Sequence, residues 1–384
     1  MFNQAKRKRM KFIANLARIL VGVEFVFSGF VKVVDPYGTG LKLQEYFEVF
    51  AADLPAFSGF FELLAGQAQL LSLIFCAAEL ILGVALLVSF KMKQTAWVVL
   101  GLMAFFTFLT FYSAYFNKVT DCGCFGDFLK LKPWHSFYKD IISLAVILVI
   151  FFYRKNYKPV SFALPAVAVS TLIAFGIGLY AKRYLPILDF LPYAVGLSMP
   201  EQMKPTGIKP IISYTFLDKE ANKEIESMTY LMDTMQYKYL SSEVLNEDDL
   251  RPKITDYAVT DLDGNDFTQE SFTGNKLLFI FKKTDHLDQD VIAEMRQLGT
   301  TLQDKGVGVM SLTSLYLEDF QTFHSSNKLP GGFYNTDEKV LKAMARTNPV
   351  IMVLKDGVVK GKWSGYNIPS SDTVLDLLNI SNIQ

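Results

Sequence analysis

The residues of this chain best suited to covalent chemistry are its three cysteines, and two of them, Cys122 and Cys124, are separated only by Gly123. A thiolate is the nucleophile of disulfide exchange, so two thiols this close can be joined and opened in turn. A disulfide across one intervening residue closes a very small, strained ring that is easily reduced, which suits transfer better than structural stapling. Gly123 tolerates the turn this requires, and Gly126 follows in the same loop. Asp121 and Asp127 act the other way, because nearby carboxylates disfavour a thiolate. The same pattern also suits two reduced thiols packed in a loop, or part of a metal site with His135. Three cysteines are too few to close a zinc site from thiolates alone, and no metal is assigned. Cys76 is a third thiol that could resolve a mixed disulfide; equally, a buried cysteine packs as a small hydrophobe.

Ionisable groups inside apolar runs form a second set. Glu24 and Glu79 each fall in a stretch long enough to cross a bilayer, and a charge in hydrocarbon is costly enough that it normally faces a bundle interior with a partner. Together they have the chemistry to relay a proton or to hold the polar head group of a quinone. The plainer alternative is hydrogen bonding to Arg18, Gln67, Gln69 or a helix neighbour. Lys32 and Asp35 end the first apolar run, where a lysine can reach the interface along its own stem. Trp134, His135 and Tyr138 open the fourth run, where an aromatic belt is expected in any case; His135 is a further catalytic candidate.

Helices must hold these side chains. Of the 384 residues 51% are hydrophobic and 14% aromatic, while 38 basic and 38 acidic side chains cancel. A neutral chain offers no field for a polyanion, which argues against nucleic acid as a partner. A hydrocarbon core about 30 Å thick needs about 20 apolar residues at 1.5 Å each. Five segments are read as spans: about Phe12–Val34, Leu70–Phe90, Ala96–Phe116, Tyr138–Tyr153 and Phe162–Ala181, the fourth of them short unless it begins nearer Trp134. Lysine and arginine precede the first (Lys6, Arg7, Lys8, Arg9, Lys11), join the second to the third (Lys91, Lys93) and join the fourth to the fifth (Arg154, Lys155, Lys158). With five spans all three groups share one side, the cytoplasmic one. The connections Asp35–Gln69 and Asn117–Lys139, and everything after Leu185, then face outward, with Lys182 and Arg183 running against the rule. The first span is too long and too charged for a cleaved signal peptide and reads as an anchor.

Prolines 186, 192, 200, 205 and 210 punctuate the exit from the last span and favour an extended linker. From Ile254 the pattern becomes α/β. Tyr257–Thr260 leads into a turn at Gly264, Lys276–Phe281 is an unbroken apolar strand, and helical patterns at about Asp288–Lys305, Leu317–Ser326 and Glu338–Arg346 alternate with strands at Val307–Leu312 and Asn348–Leu354. Asp356-Gly357 turns the chain back into Val358–Trp363, and Ser371–Leu378 closes as a helix. The expected fold is a membrane all-α bundle of about five helices over 1–183, an extracytoplasmic linker region over 184–253, and a soluble α/β domain over 254–384.

Two resemblances cover most of the chain. Phe27-Ser28-Gly29-Phe30-Val31-Lys32-Val33-Val34-Asp35-Pro36 and Asp121-Cys122-Gly123-Cys124-Phe125-Gly126-Asp127 resemble the DoxX/MauE group of redox-associated membrane proteins, the second motif more specifically. The resemblance implies a role in thiol and disulfide chemistry outside the cytoplasm. Tyr257–Asn265, Gly274-Asn275-Lys276 and the Asn348-Pro349 step are similar to thioredoxin-like domains of the TlpA and peroxiredoxin kind, which implies that Pro349 is the candidate cis-proline of that fold. Where those domains carry a reactive cysteine pair, this chain reads Lys282-Lys283-Thr284-Asp285-His286-Leu287-Asp288. That domain cannot exchange disulfides itself, and binding is what remains.

The expectation is a component of extracytoplasmic thiol redox or protein maturation in a bacterial cytoplasmic membrane, with the lipid bilayer and a protein client as partners. A quinone is the candidate acceptor, since the chain has no Gly-rich nucleotide loop. The rival is an envelope binding or assembly protein whose cysteines are structural.

Overall fold

A computed structural model of the chain describes residues 2–119, 123, 126, 128–129 and 131–380, with side chains from residue 8 onward except at position 248. Contacts divide it into two units, the first Met1–Leu191 with Arg346–Asn348 and Trp363–Asn367, the second Pro192–Ala345 with Pro349–Lys362 and Ile368–Gln384.

The first unit is helical. Its elements are α1 (Phe2–Val34), α2 (Pro36–Asp53), a 3-10 turn (Pro55–Phe57), α3 (Ser58–Gly66), α4 (Ala68–Leu87), α5 (Met92–Phe116), α6 (Pro133–Tyr153) and α7 (Ala163–Arg183). By length and composition α4 to α7 can cross a membrane; α1, the first of the five spans expected from the sequence, does not meet that criterion among the described residues. The pair Pro36–Asp53 and Pro55–Gly66 also passes if taken as one span, although it bends by 119°. The stretch read from the sequence as a plain connection, Asp35–Gln69, is therefore mostly helix, opened by Pro36 at the position where a missing N–H costs nothing.

The unit is apolar outside and buries several charged side chains within its apolar core. Phe12 is 70% exposed, Phe152 75% and Leu172 75%, while Arg18, Lys32, Glu79 and Asp140 are buried. A water-soluble helix would reverse this; lipid explains it, since hydrocarbon is the natural solvent for such a surface. The chain is a multi-pass membrane protein. Helix α4 is the hub and packs on α1, α2 and α7, while α5 packs on α6.

The second unit holds two sheets. Within 184–253, the stretch expected from the sequence to be an extended linker region, the chain forms a three-stranded antiparallel sheet, order β2-β1-β3, from β1 (Ile212–Asp218), β2 (Lys223–Ser227) and β3 (Tyr237–Val244). Phe216 is its buried anchor, ringed by Tyr214, Tyr230, Tyr237 and Tyr239. Short helices α8 (Met199–Gln202), α9 (Glu247–Leu250) and α10 (Thr268–Phe272) surround it in sequence. The second sheet, order β6-β5-β4-β7-β8, comprises β4 (Asn275–Phe281), β5 (Gly308–Thr313), β6 (Gly332–Asn335), β7 (Val350–Lys355) and β8 (Val358–Ser364). Strands β4, β5 and β6 run parallel and β7 antiparallel to β4, with α11 (Gln289–Asp304), α12 (Leu317–Ser326), α13 (Glu338–Met344) and α14 (Ser371–Leu378) between and after them. This is the expected thioredoxin-like order. Asp356 and Gly357 have φ of 49° and 74°, the left-handed pair of a two-residue hairpin turn.

Candidate functional site

The site is assembled by an unusually close helix crossing. A Cβ on Gly29 of α1 would lie 2.4 Å from the backbone N of Leu80, and one on Gly83 of α4 would lie 2.6 Å from the backbone N of Val26. Small residues on both faces let the two backbones touch, as packing inside a bilayer favours. The register brings Lys32, one turn beyond Gly29, onto Glu79, the neighbour of Leu80.

Lys32 Nζ donates to Glu79 Oε2 at 2.6 Å, with side chains 7% and 6% exposed, and the ammonium lies 5.1 Å from the ring centre of Phe106. The partner of Glu79 is thus Lys32, not Arg18, Gln67 or Gln69. Arg18 donates instead to the carbonyls of Leu86 and Leu87, the latter at 2.6 Å. Snorkelling does not account for Lys32 either: the charge turns inward because a carboxylate waits there.

A second cluster joins α1, α5 and α6. Lys139 Nζ is 2.8 Å from Asp140 Oδ1 and 3.5 Å from Glu24 Oε1. Ser143 donates to Glu24 at 3.1 Å, and Thr110 donates to Asp140 Oδ2 at 2.9 Å. Asp140 is 1% exposed. Sequence reading finds Glu24 but not Lys139, Asp140 or Thr110; the signal was two adjacent charges one residue into an apolar run. Asp35 pairs with Arg346 at 2.8 Å, both residues of the first unit.

The two clusters line one cavity, with about 50 Å³ open to the centres of water molecules. Cys76, fully buried on α4, opens onto it, as do Thr39, Lys42 and Tyr46 of α2; Phe25, Phe75, Phe106 and Leu109 supply apolar wall. Gly123 lines it too. Its φ is +62°, left-handed backbone that favours glycine, and a Cβ there would sit 3.3 Å from Lys42 Cγ.

Asp121, Cys122, Cys124 and Asp127 lie outside the described residues. Gly126 has φ +56°. His135 is exposed on α6 and takes no part in the cavity lining. Pro349 directly precedes β7. No group of three or more His, Cys, Asp or Glu able to hold a metal ion occurs among the described residues.

Residues 10–153 match the family model described as methylamine utilisation protein MauE. This segment is a MauE-family membrane domain. Every residue lining the cavity, from Glu24 to Asp140, falls within the MauE-family domain, whereas α7 and the whole second unit lie beyond it. Among solved structures, a solution structure of a thiol:disulfide interchange protein from Bacteroides sp. is similar at 15% identity, covering 33% of this chain and 88% of its own, with a TM-score of 0.28. No curated protein matches the chain. The three cysteines of the chain all precede residue 125, so the thioredoxin-like sheet carries none. At the ends of β4 and β5 it has instead an open groove lined by Thr284, Leu315, Tyr316 and Asn335 among others.

Proposed function

We propose that this redox-related membrane protein takes part in thiol–disulfide exchange on the extracytoplasmic side of a bacterial cytoplasmic membrane. Cys122 and Cys124 are the exchanging pair, Cys76 is the thiol that resolves their mixed disulfides, and the cysteine-free thioredoxin-like domain binds a protein client. The observation that carries this reading is that Gly123, between the two cysteines, lines the same MauE-domain cavity as Cys76. Five spans with the lysine- and arginine-rich connections inside would put that loop on the outer face. A rival reading, an envelope assembly protein with structural cysteines, draws on the missing thiols of the outer domain.

Acid-trapping and mass analysis of the thiols in intact cells separates the two. Wild type is expected to show Cys122 and Cys124 in a mixture of reduced and oxidised forms, and Cys124→Ser or Cys122→Ser to accumulate a mixed disulfide. If both thiols stay reduced, unlinked and dispensable, the exchange reading fails and the assembly reading stands.

A further inference from the structure

Deepening that reading, we propose that the Lys32–Glu79 pair is the proton-exchange partner of Cys76, and that the Glu24–Lys139–Asp140 cluster sharing the cavity is the reservoir that returns the proton.

Four observations lead there. First, ionised groups inside a bilayer are expensive and are retained where they serve a pathway or a relay. Packing alone gives no reason for two separate ammonium–carboxylate clusters in the one domain. Second, the clusters and the thiol share one space: Lys32, Glu79, Cys76, Glu24, Lys139 and Asp140 line the same cavity. Third, about 50 Å³ of it is open to the centres of water molecules, and a water needs roughly 10–15 Å³ by that measure, so a short hydrogen-bonded chain fits. Fourth, the charges balance. In the lining, Lys32, Lys42 and Lys139 stand against Glu79, Glu24 and Asp140. Such a network can pass a proton from one carboxylate to another without gaining net charge in a low dielectric.

Position singles out Glu79. It lies one helical turn from Cys76 on α4, on the same face, and Lys32 is held against it from α1 at 2.6 Å. Thr39, Lys42 and Tyr46 line the same cavity from α2. Glu24 faces the cavity from α1, and Lys139 and Asp140 from α6. Asp35, paired with Arg346, stands at the end of α1.

The step balances without an added oxidant. The Cys76 thiol gives its proton to the Glu79 carboxylate while the Lys32 ammonium faces the forming thiolate. The thiolate sulfur attacks the loop-cysteine sulfur of a mixed disulfide between Cys122 or Cys124 and the client; that S–S bond breaks, a new one forms between Cys76 and the loop cysteine, and the client's cysteine leaves as thiolate. A proton from the carboxylate network then neutralises it. One disulfide is consumed and one formed, and the proton count is unchanged.

The test uses the full chain in lipid nanodiscs with Cys122 and Cys124 changed to Ser, and follows alkylation of Cys76 by N-ethylmaleimide from pH 6 to 10. Removing the carboxylate by Glu79→Gln leaves an ammonium facing the thiol and is expected to move the profile to lower pH by about one unit, tenfold in rate at fixed pH. Lys32→Met is expected to move it as far the other way, and Glu79→Asp to restore the original profile. Loosened packing would move both variants in one direction and would not be rescued by aspartate. Profiles that coincide for all variants, shift together, or show no alkylation at any pH overturn the proposal. Because the readout is Cys76 alone, thiol trapping of the unmodified loop decides the exchange reading separately.

Discussion

Within the bundle, a buried ion pair is worth less for the stability it adds than for what happens when half of it is lost. Removing one partner typically costs about 3–5 kcal/mol because an unpaired charge stays behind, so Lys32 and Glu79 constrain each other more than either constrains the fold. A different residue carries pH sensitivity in the second unit. His324 of α12 lies among Phe320 and Phe333, with ring centres 6.1 and 5.1 Å away, and its Nε2 is buried without a hydrogen-bond partner. Burial pushes the imidazole below its ordinary range. The unfolded chain then binds a proton that the folded chain refuses. The stability contribution is whole above the unfolded value of about 6.5 and is lost as pH falls below it. Thermal unfolding of the detergent-solubilised protein should shift to lower temperature between pH 7 and 5, and His324→Leu should flatten that slope. A slope unchanged in the variant would place the acid sensitivity elsewhere.

Among the elements, the α1–α4 crossing is the most exposed to mutation. Even one carbon on Gly29 collides with backbone at Leu80, and backbone cannot turn aside as a side chain can. Gly29→Ala should destabilise the bundle by about 1–3 kcal/mol, the usual cost of overpacking, and should also pull Lys32 off Glu79. Comparing detergent denaturation of Gly29→Ala with that of Gly101→Ala, where nothing lies within 4 Å, checks this; equal stability of the two would refute the crossing as described. The sequence reading places the long apolar helices and the strands β4, β5 and β7 because each is a continuous hydrophobic run. It misses α2 and α3, whose glycines, prolines and charges break the pattern, and the sheet β1–β3, where six consecutive residues of β3 are exposed and nothing alternates. Glu24 and Glu79 stand out as charges in apolar context. Their partners do not, since Lys32 and Lys139 stand near helix ends, where a lysine is unremarkable until a tertiary contact turns it inward.

The whole molecule divides its labour. The described thiol, Cys76, and most of the buried charges lie in the MauE-family domain, and a thioredoxin-like sheet without thiols lies in the other unit. If the five-span arrangement holds, a periplasm-active reporter fused after Ile187 or at the C-terminus should be active, and one fused after Lys155 silent. The reverse pattern would invert the compartment assigned to the cysteine loop. It would leave the cavity and its ion pairs untouched.

The Lys32–Glu79 pair also bears on how the chain enters the bilayer. A lone charge at the centre of a span costs roughly 2.5–3.5 kcal/mol on translocon-insertion scales; Glu79 stands near the middle of α4, whereas Lys32 stands near the end of α1 and costs less. Its counter-charge sits 47 residues away in sequence, on a helix synthesised later. Until α4 arrives, α1 is an incompletely solvated guest. Its integration is then a joint event with α4, so that the bent segment between them must be laid down before either helix can settle.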